Sequence, residues 1–587
     1  MGLTNKQIAT IFLNIADLLE IQGENKFKFL AYRRAGEVIM DLSRDLRAYA
    51  DDGTLEDIPG VGKAIAEKTR ELLETGRLAF YERLIEQVPE TLVEVMRING
   101  VGPKKAKLFW EQLQIVDVES LEQAARAGKL RDLTGMGVKS EQKILEGIAA
   151  LSRQGGRMPI GKARPAAERM LALLMSLPQA QRGAIAGSIR RGKITIGDVD
   201  LLIASDEPEP LMNAFVRAPE VERVLGQGPT KSSVELAIGL QMDLRVVPLA
   251  QWGTALQYFT GSKDHNVKLR QIALDKGYSL NEFAFSPVDA QGNLLPDAPK
   301  VTCATEEEVY AFLGLPYIPP ELREDAGEIE AAKQNVLPRL VVLDDLRGDL
   351  HMHTTWSDGT RSIRQMAEEA HQRGRQYIVI TDHSPYVAVA NGLAVERLWQ
   401  QREEIRQVAA EMGDKIRVLH GAEVDIRADG TLDYPDEVLS QLDFVVASLH
   451  VSLSQSRDQI MHRLLNAMRN PHVDLIGHPS GRYVPDREPI DADWDEVLRV
   501  ARQTGVALEI NANPRRLDLD AQYARRAAQM GILLAIDSDA HDPHMMDLLD
   551  YGIVNARRGW VEARHVINTW PYEQFWAWVQ ARGQQGL

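Results

Sequence analysis

The apolar positions of the chain fall into three regimes. Near the N-terminus Ile8, Ile11, Phe12, Ile15, Leu18 and Leu19 recur at helical spacing, and FKFLAYRRAGEVI continues as an amphipathic helix with Lys28, Arg33 and Arg34 on its polar side. Further helical patterns, broken by glycine turns, predict an all-α region to about residue 150. The second regime contains short apolar strands, among them IGDVDLL at 196–202 and QMDLRVV at 241–247, which predict a mixed α+β core. Beyond residue 350 seven apolar strand-like runs alternate with helical patterns, as in a parallel (β/α) barrel of seven units. Two segments interrupt the regimes: SRQGGRMPIGKARPA at 151–165 is rich in Gly, Pro and Arg, and 318–347 is polar, acidic and Pro-initiated.

Composition bounds this picture without changing it. The 587 residues suggest about three or four domains, and 44% hydrophobic with 26% charged residues is ordinary for a globular chain. A net charge of −16 argues against indiscriminate coating of nucleic acid, so DNA contacts should come from placed cations and backbone N–H groups. One cysteine, Cys303, excludes an internal disulfide and fits a reducing cytoplasm. The sequence shows no signal peptide and no membrane-length apolar run. Twelve of the thirteen histidines lie beyond residue 350, and that asymmetry marks a second chemistry in the C-terminal half.

The chemistry of the middle region centres on GSIRRGKITIGDVDLL, 187–202. Asp198 and Asp200, two residues apart on one strand, share a face, and carboxylates held so close call for a cation between them. Mg²⁺, with Mn²⁺ as an alternative, suits an oxygen-only site that also takes phosphate oxygens. Eleven residues before Asp198, Gly187 and Ser188 offer a turn with N–H groups and a hydroxyl, and Arg190 and Arg191 offer guanidinium forks for phosphate. Metal and phosphate together imply phosphoryl or nucleotidyl transfer.

Around residue 60 a local pattern begins to recur: LEDIPGVGK ending at Lys63, VMRINGVGPKK ending at Lys105, and a looser DLTGMGVK ending at Lys139. Each is a hydrophobe, a Gly-x-Gly turn and a helix carrying lysines, so Gly60, Gly62 and Lys63, then Gly100, Gly102, Lys104 and Lys105, are candidate phosphate contacts. Such contacts fix position without reading sequence.

The combination of GSxRRG with GDVDLL resembles the nucleotidyltransferase core of the X-family DNA polymerases, and the recurring turns resemble helix–hairpin–helix motifs. The resemblance implies that Asp243, in QMDLRVV, is the third carboxylate of a catalytic triad and assists deprotonation of a primer hydroxyl. It implies a dNTP site formed by Arg157, Gly187, Ser188, Arg191, Gly197, Gly261 and the segment LQYFTGSKDHN, with Tyr258 and Phe259 against the sugar, Asn266 at the base edge and Arg270 at the template. Lys263 stands where a relative carries an acidic residue and could strengthen nucleotide binding. Lys68 matches the Schiff-base lysine of members that remove a sugar-phosphate remnant; a lysine amine attacks a carbonyl in its neutral form. Phe27, Leu30 and Ala64 depart from the polar or basic residues of that lyase pattern.

In the C-terminal half the strand ends carry GDLHMH, ITDHS, HGAEVDI, ASLH, IGHPSG, EINANP and AIDSDAH. Strand C-termini are where such barrels keep their chemistry, so His351, His353, Asp358, His383, Glu423, His450, His478, Asp539 and His541 are candidate metal ligands. The set resembles the PHP (polymerase and histidinol phosphatase) domain. That resemblance implies a distorted (β/α)7 barrel with three divalent metals, Zn²⁺ or Mn²⁺, and Glu423 as a bridge; clustered metals activate water and clamp the oxygens of a phosphoester. Arg482, Asn511, Asn513 and Arg516 could orient substrate or ligands or be structural.

The expected organisation is therefore a helical domain at 1–90, a helical DNA-binding domain at 91–152, a nucleotidyltransferase palm at 153–235, the rest of the palm with a thumb-like subdomain at 236–317, a linker at 318–347 and a PHP domain at 348–580. The whole resembles a bacterial-type X-family DNA polymerase with a fused PHP nuclease: a cytoplasmic monomer acting on gapped or nicked DNA with dNTPs, filling gaps in base excision repair and hydrolysing 3′ ends. A template-independent nucleotidyltransferase, or a DNA-binding scaffold with an inactive barrel, are the alternatives.

Overall fold

The computed structural model describes residues 3–42, 45–58, 60–96, 98, 101–155, 157–289, 291–295 and 297–584. Its residues divide into two compact units, the first made of 1–158, 170–184 and 197–313, the second of 159–169, 185–196 and 314–587.

In the first unit the N-terminal apolar stripe forms helix α1 (Asn5–Gln22), started by a capping box between Thr4 and Gln7 and stopped by Gly23 in the left-handed region. Helix α2 (Lys26–Asp41) packs along it. The close approach needs Gly36, where a Cβ would come within 2.8 Å of Leu13 Cγ. Arg33 on the basic side of α2 turns back to bond Asp17 and Glu20 at 2.7 Å each. Helices α3 (Lys63–Thr75), α4 (Pro103–Leu113) and α5 (Val138–Gly155) each follow one of the Gly-x-Gly turns. The hydrophobes before and inside the turns, Ile58, Val61, Ile98, Val101 and Leu133, are buried in one cluster that runs from Ile8 to Ile148. Burying those flanks is what holds Gly62, Gly102 and Gly135 at the surface.

The mixed sheet of the first unit contains β1 (Arg182–Ile185), β2 (Asp198–Ala204), β3 (Val221–Gln227), β4 (Lys231–Leu236) and β5 (Gln241–Val247), in the order β1-β2-β5-β4-β3. β2 and β5 are parallel, and their register sets Asp200 directly opposite Asp243. Helices α6 (Trp252–Thr260) and α7 (Lys263–Asp275) follow.

The second unit contains the expected barrel. Seven parallel strands pair in chain order: β6 (Gly348–Asp349), β7 (Tyr377–Ile380), β8 (Arg417–Asp425), β9 (Phe444–Ser448), β10 (Leu475–Ile476), β11 (Ala507–Asn511) and β12 (Leu534–Asp537). A parallel bridge between Met352 and Ala540 joins the two ends of the sheet just past β6 and β12. At the opposite end Phe575, from helix α8 (Tyr572–Gln584), stacks on Tyr377 at 4.8 Å and packs against Phe444. Because Tyr377 and Phe444 begin their strands, this plug closes the N-terminal end and leaves the C-terminal end for polar groups.

The acidic segment 318–347, expected as a linker, is folded onto the barrel. Leu322, Ile329 and Ala332 are buried, Arg323 is buried with its Nε donating to Ile318 O, and Glu321 pairs with Arg557 at 2.7 Å. Charged residues crowd 321–333 around Leu322, Ile329 and Ala332, so composition alone reads that stretch as polar.

Candidate functional sites

The strand ends of the barrel bring all nine predicted ligands into one web, buried at its centre and open to solvent at Asp358, His450 and His541. Glu423, near the C-terminal end of β8, is its hub. Glu423 Oε2 lies 3.3 Å from His351 Nε2, 3.5 Å from His353 Nε2 and 3.0 Å from His383 Nδ1. Its other oxygen lies 3.2 Å from His450 Nε2 and 3.0 Å from His478 Nε2. Asp539 Oδ1 sits 3.2 Å from His353 Nε2, and Asp358 Oδ1 sits 3.4 Å from His541 Nε2. Three overlapping donor sets result: His353, Asp358, His383 and His541; His351, His353 and Asp539; and His383, Glu423 and His450.

Metal ions fit these residues. Both ring nitrogens of His353, Nε2 of His351 and Nδ1 of His383 are buried without a hydrogen-bond partner, a costly state that a cation relieves. Burial, reinforced by His541 and His383, pushes His353 down to about 3, and burial with Arg516 does the same to His478. Burial opposes ionisation of Glu423, yet His450, His351 and His383 hold it well below the usual carboxylate range. His353, His478 and Glu423 are thereby in forms that bind metal, whereas against the pull of burial the neighbouring carboxylates raise His450 and His541 to about 9, so an ion there displaces a proton. A supporting layer fixes the rings: His351 Nδ1 lies 2.7 Å from Glu509 Oε1, His450 Nδ1 lies 3.1 Å from Asp425 Oδ2, and Asn511 Nδ2 donates to Asp539 Oδ2 at 3.0 Å. Glu509 and Asp425 are absent from the sequence-based set. A signal existed for both: Asp425 is two residues from Glu423, and Glu509 two from Asn511, on the same strand faces.

The second centre is on the mixed sheet. Asp198 and Asp200 leave β2 together and Asp243 faces Asp200 across the ladder. Burial, then the charges of Asp198 and Asp243, push Asp200 up to about 6, against the pull of Arg245 and Lys231. Crowded carboxylates of this kind mark a place for a cation, and oxygen donors alone suit Mg²⁺. Lys231 Nζ lies 3.1 Å from Asp243 Oδ2, and Gln241 Nε2 donates to Asp243 Oδ1 at 3.1 Å. Among the described residues, donor groups that converge closely are found in the barrel and not in this triad, whose third carboxylate is held by Lys231 and Gln241.

Arg157 reaches the same sheet, since a side chain at Gly197 would come within 3.4 Å of its guanidinium. Tyr258 and Phe259 meet edge-on at 5.2 Å, and Arg245 lies over Phe259 at 4.4 Å. Gly261, at φ +66°, ends α6, and the Ser262 side chain caps α7, on whose exposed first turn Lys263 stands. Asn266 Nδ2 donates to Tyr258 O at 2.8 Å and its oxygen accepts from Gln257 at 2.7 Å, tying α7 to α6. Arg270 follows one turn later, half-buried, with its Nε lacking a partner. Gly187, Ser188 and Arg191 belong to the second unit. There Gly187 opens a short turn of helix at φ +60°, Ser188 Oγ is buried without a partner, and Arg191 Nε lies 3.0 Å from Glu324.

At the hairpins Gly60 takes φ +87°, and Gly62 and Gly102 occupy the N-cap positions of α3 and α4, with Lys63 and Lys104 exposed in the first turns and Lys105 half-buried. Gly100 lies outside the described residues. Lys68, on α3, is half-buried; its Nζ donates to Ala64 O at 3.2 Å and sits 5.4 Å from the centre of the Phe80 ring. Lys28 approaches the same ring at 5.8 Å, and Tyr32 stacks on it.

Glycine hairpins, an aspartate-bearing mixed sheet and a histidine-rich seven-stranded barrel together define a helix–hairpin–helix, polymerase-β-type core joined to a PHP barrel. Family models match accordingly: a helix-hairpin-helix domain at 3–78, a SAM-like helix-hairpin-helix tandem at 92–150, the DNA polymerase beta thumb at 255–324 and the PHP domain at 349–513. The chain is 40% identical over 565 residues, 96% of its length and 97% of the relative's, to the DNA polymerase/3'-5' exonuclease PolX of Bacillus subtilis (strain 168). It is 28% identical to DNA polymerase lambda of Rattus norvegicus over 53% of this chain and 54% of that one. A probable phosphatase of Thermoanaerobacter sp. (strain X514) matches at 34% over 33% of this chain and 78% of its own. The chain belongs to the PolX family of DNA polymerase/3'-5' exonucleases. Among the described residues no helix is long and apolar enough to cross a membrane.

Proposed function

We propose that the chain is a template-directed DNA polymerase that fills short gaps, as in base excision repair, and whose barrel removes nucleotides from DNA 3′ ends. The observation that carries this is the presence, in one chain, of an all-oxygen carboxylate triad on one sheet and an imidazole-rich cluster in another. Asp198 and Asp200 would hold Mg²⁺, which, when bound, neutralises triphosphate charge and favours attack at the α-phosphate. Asp243 stands beside them as the acceptor for the primer hydroxyl proton. Ser188, whose hydroxyl is buried and unpaired, is suited to donate to a phosphate oxygen, with Gly187 N–H, Arg157 and Arg191 sharing the charge. Tyr258 and Phe259 would line the sugar, Asn266 the base edge, Arg270 the template strand, and Lys263 the incoming nucleotide.

In the barrel, His351, His353, Asp358, His383, Glu423, His450, His478, Asp539 and His541 would hold three ions, Zn²⁺ or Mn²⁺, which supply an activated water and a clamp for the phosphodiester. Glu423 faces five imidazoles and is the residue suited to bridge. Gly60, Gly62, Gly102, Lys63, Lys104 and Lys105 would anchor the gapped duplex through its phosphates. Lys68 would be the nucleophile of a lyase step. A monomer in the cytoplasm, with Cys303 buried and reduced, is the setting this reading implies.

The test is incubation of 5′-labelled gapped DNA with Mg²⁺ or Mn²⁺, with and without dNTPs. Extension to the gap's end with dNTPs and stepwise shortening without them is expected. Template-independent tailing, or a label unchanged in both reactions, would contradict the reading.

A further inference from the structure

Two loops at the C-terminal end of the barrel carry a cationic aromatic platform that the ligand set does not use. One, Gly481–Arg487, follows β10 and His478; the other, Asn513–Arg516, follows β11 and Asn511. They hold four arginines against the single carboxylate of Asp486. Three of the guanidiniums surround one phenol ring: Arg515 at 4.1 Å, Arg516 at 5.6 Å and Arg487 at 5.9 Å from the centre of Tyr483.

The platform is built rather than incidental. Tyr483 and Arg487 exchange backbone hydrogen bonds, N to O at 2.8 Å and 2.7 Å, and Val484 N donates to Arg515 O at 2.6 Å. Arg482 braces the loops from beneath: its buried guanidinium donates to Arg516 O at 2.6 Å and to Leu517 O, and pairs with Asp520 at 3.0 Å. Arg482 is thus a structural tie; Arg515 and Arg487, whose Nε also donates to Gly481 O at 2.7 Å, are left for the outer surface. Arg487 and Arg515 are exposed, Arg515 pairing with the equally exposed Asp486. Arg516 connects platform to metal cluster, since its Nε lies 3.6 Å from Oδ2 of Asp539.

Concentrating cations around a ring at the mouth of a site has a cost in repulsion that an anionic aromatic ligand removes. Stacking surfaces interleaved with arginines are the means by which proteins hold single-stranded nucleic acid without reading its sequence. We propose that Tyr483, Arg487 and Arg515 form the subsite that holds the nucleotides just upstream of the 3′ terminus as that terminus enters the metal cluster. The proposal rests on the nuclease reading of the barrel.

The test compares two phosphodiesters on the full-length, metal-loaded protein: a 5′-labelled single-stranded oligonucleotide, and bis(p-nitrophenyl) phosphate, which is too short to span from the metals to the loops. For Tyr483→Leu, which keeps bulk but not the ring, the ratio of kcat/KM for oligonucleotide over small ester should fall about tenfold, the scale of one lost base stack. For Arg487→Gln with Arg515→Gln, the plot of log KM for the oligonucleotide against log salt should become shallower by about 1.4, two phosphate contacts' worth. Metal content, measured on each variant, reports whether the barrel is folded. Ratios and salt slopes equal to wild type in metal-loaded variants would overturn the subsite while leaving the nuclease reading intact. A wild-type protein that cleaves neither ester would sink both.

Discussion

His351 is held between two carboxylates, and the one that fixes its ring is Glu509: Oε1 of Glu509 lies 2.7 Å from His351 Nδ1. The proton therefore resides on Nδ1, and Nε2 is presented bare toward Glu423 and Asp539. Glu509 Oε2 also accepts from His478 N and from Asn511 Nδ2 at 3.3 Å, so both oxygens must be acceptors. Glu509→Gln places an NH₂ against one of those donors. Metal affinity of the barrel should fall about 10- to 100-fold, read by competition with a chelator, with gap filling retained. Affinity equal to wild type would show that the ring is oriented by something else.

The hairpins carry a separate expectation. Gly62 and Gly102, at the N-caps of α3 and α4, have no side chain with which to cap the first turn, and Lys63 and Lys104 stand exposed beside them. Lys104→Ala with Lys105→Ala should weaken gapped-duplex binding without altering base preference, and the slope of log affinity against log salt should drop by about 1.8. A slope identical to wild type would remove these lysines from the interface.

Lys68 can be tested by trapping. Its amine lies over Phe80, with Lys28 on the same ring, and the residue is half-buried. Borohydride should capture a covalent adduct with an incised abasic site, and Lys68→Ala should lose it. Undiminished trapping in the variant would assign the chemistry to another amine.

The sequence made the nine candidate ligands of the barrel legible because a parallel barrel puts equivalent strand ends together, so nine His and carboxylate residues at those ends are seen as one set. Asp198 and Asp200 were legible for a similar reason, since alternation alone gives them one face. Lys231 was not. Its contact with Asp243 depends on the antiparallel register of β4 against β5, which no local pattern encodes. Arg482 carried two readings, substrate contact or structure, and only the three-dimensional path of two loops decides between them. Segment 318–347 was hidden by composition: the charged residues crowding 321–333 mask the burial of Leu322 and Ile329, and Arg323 and Glu328 are themselves buried.

The central claim is that one chain holds two independent metal centres, an oxygen-only one on the mixed sheet and an imidazole-rich one in the barrel. The most direct measurement assays two double variants on a single 5′-labelled gapped substrate, with circular dichroism to establish folding. Asp198→Ala with Asp200→Ala removes the main anchors of the nucleotide metals, so synthesis should fall by orders of magnitude while 3′-end hydrolysis stays near wild type. His351→Ala with His353→Ala should strip metal from the barrel and stop hydrolysis while gap filling persists. A folded Asp198/Asp200 variant that loses both activities, or a folded His351/His353 variant that loses synthesis, would contradict the account.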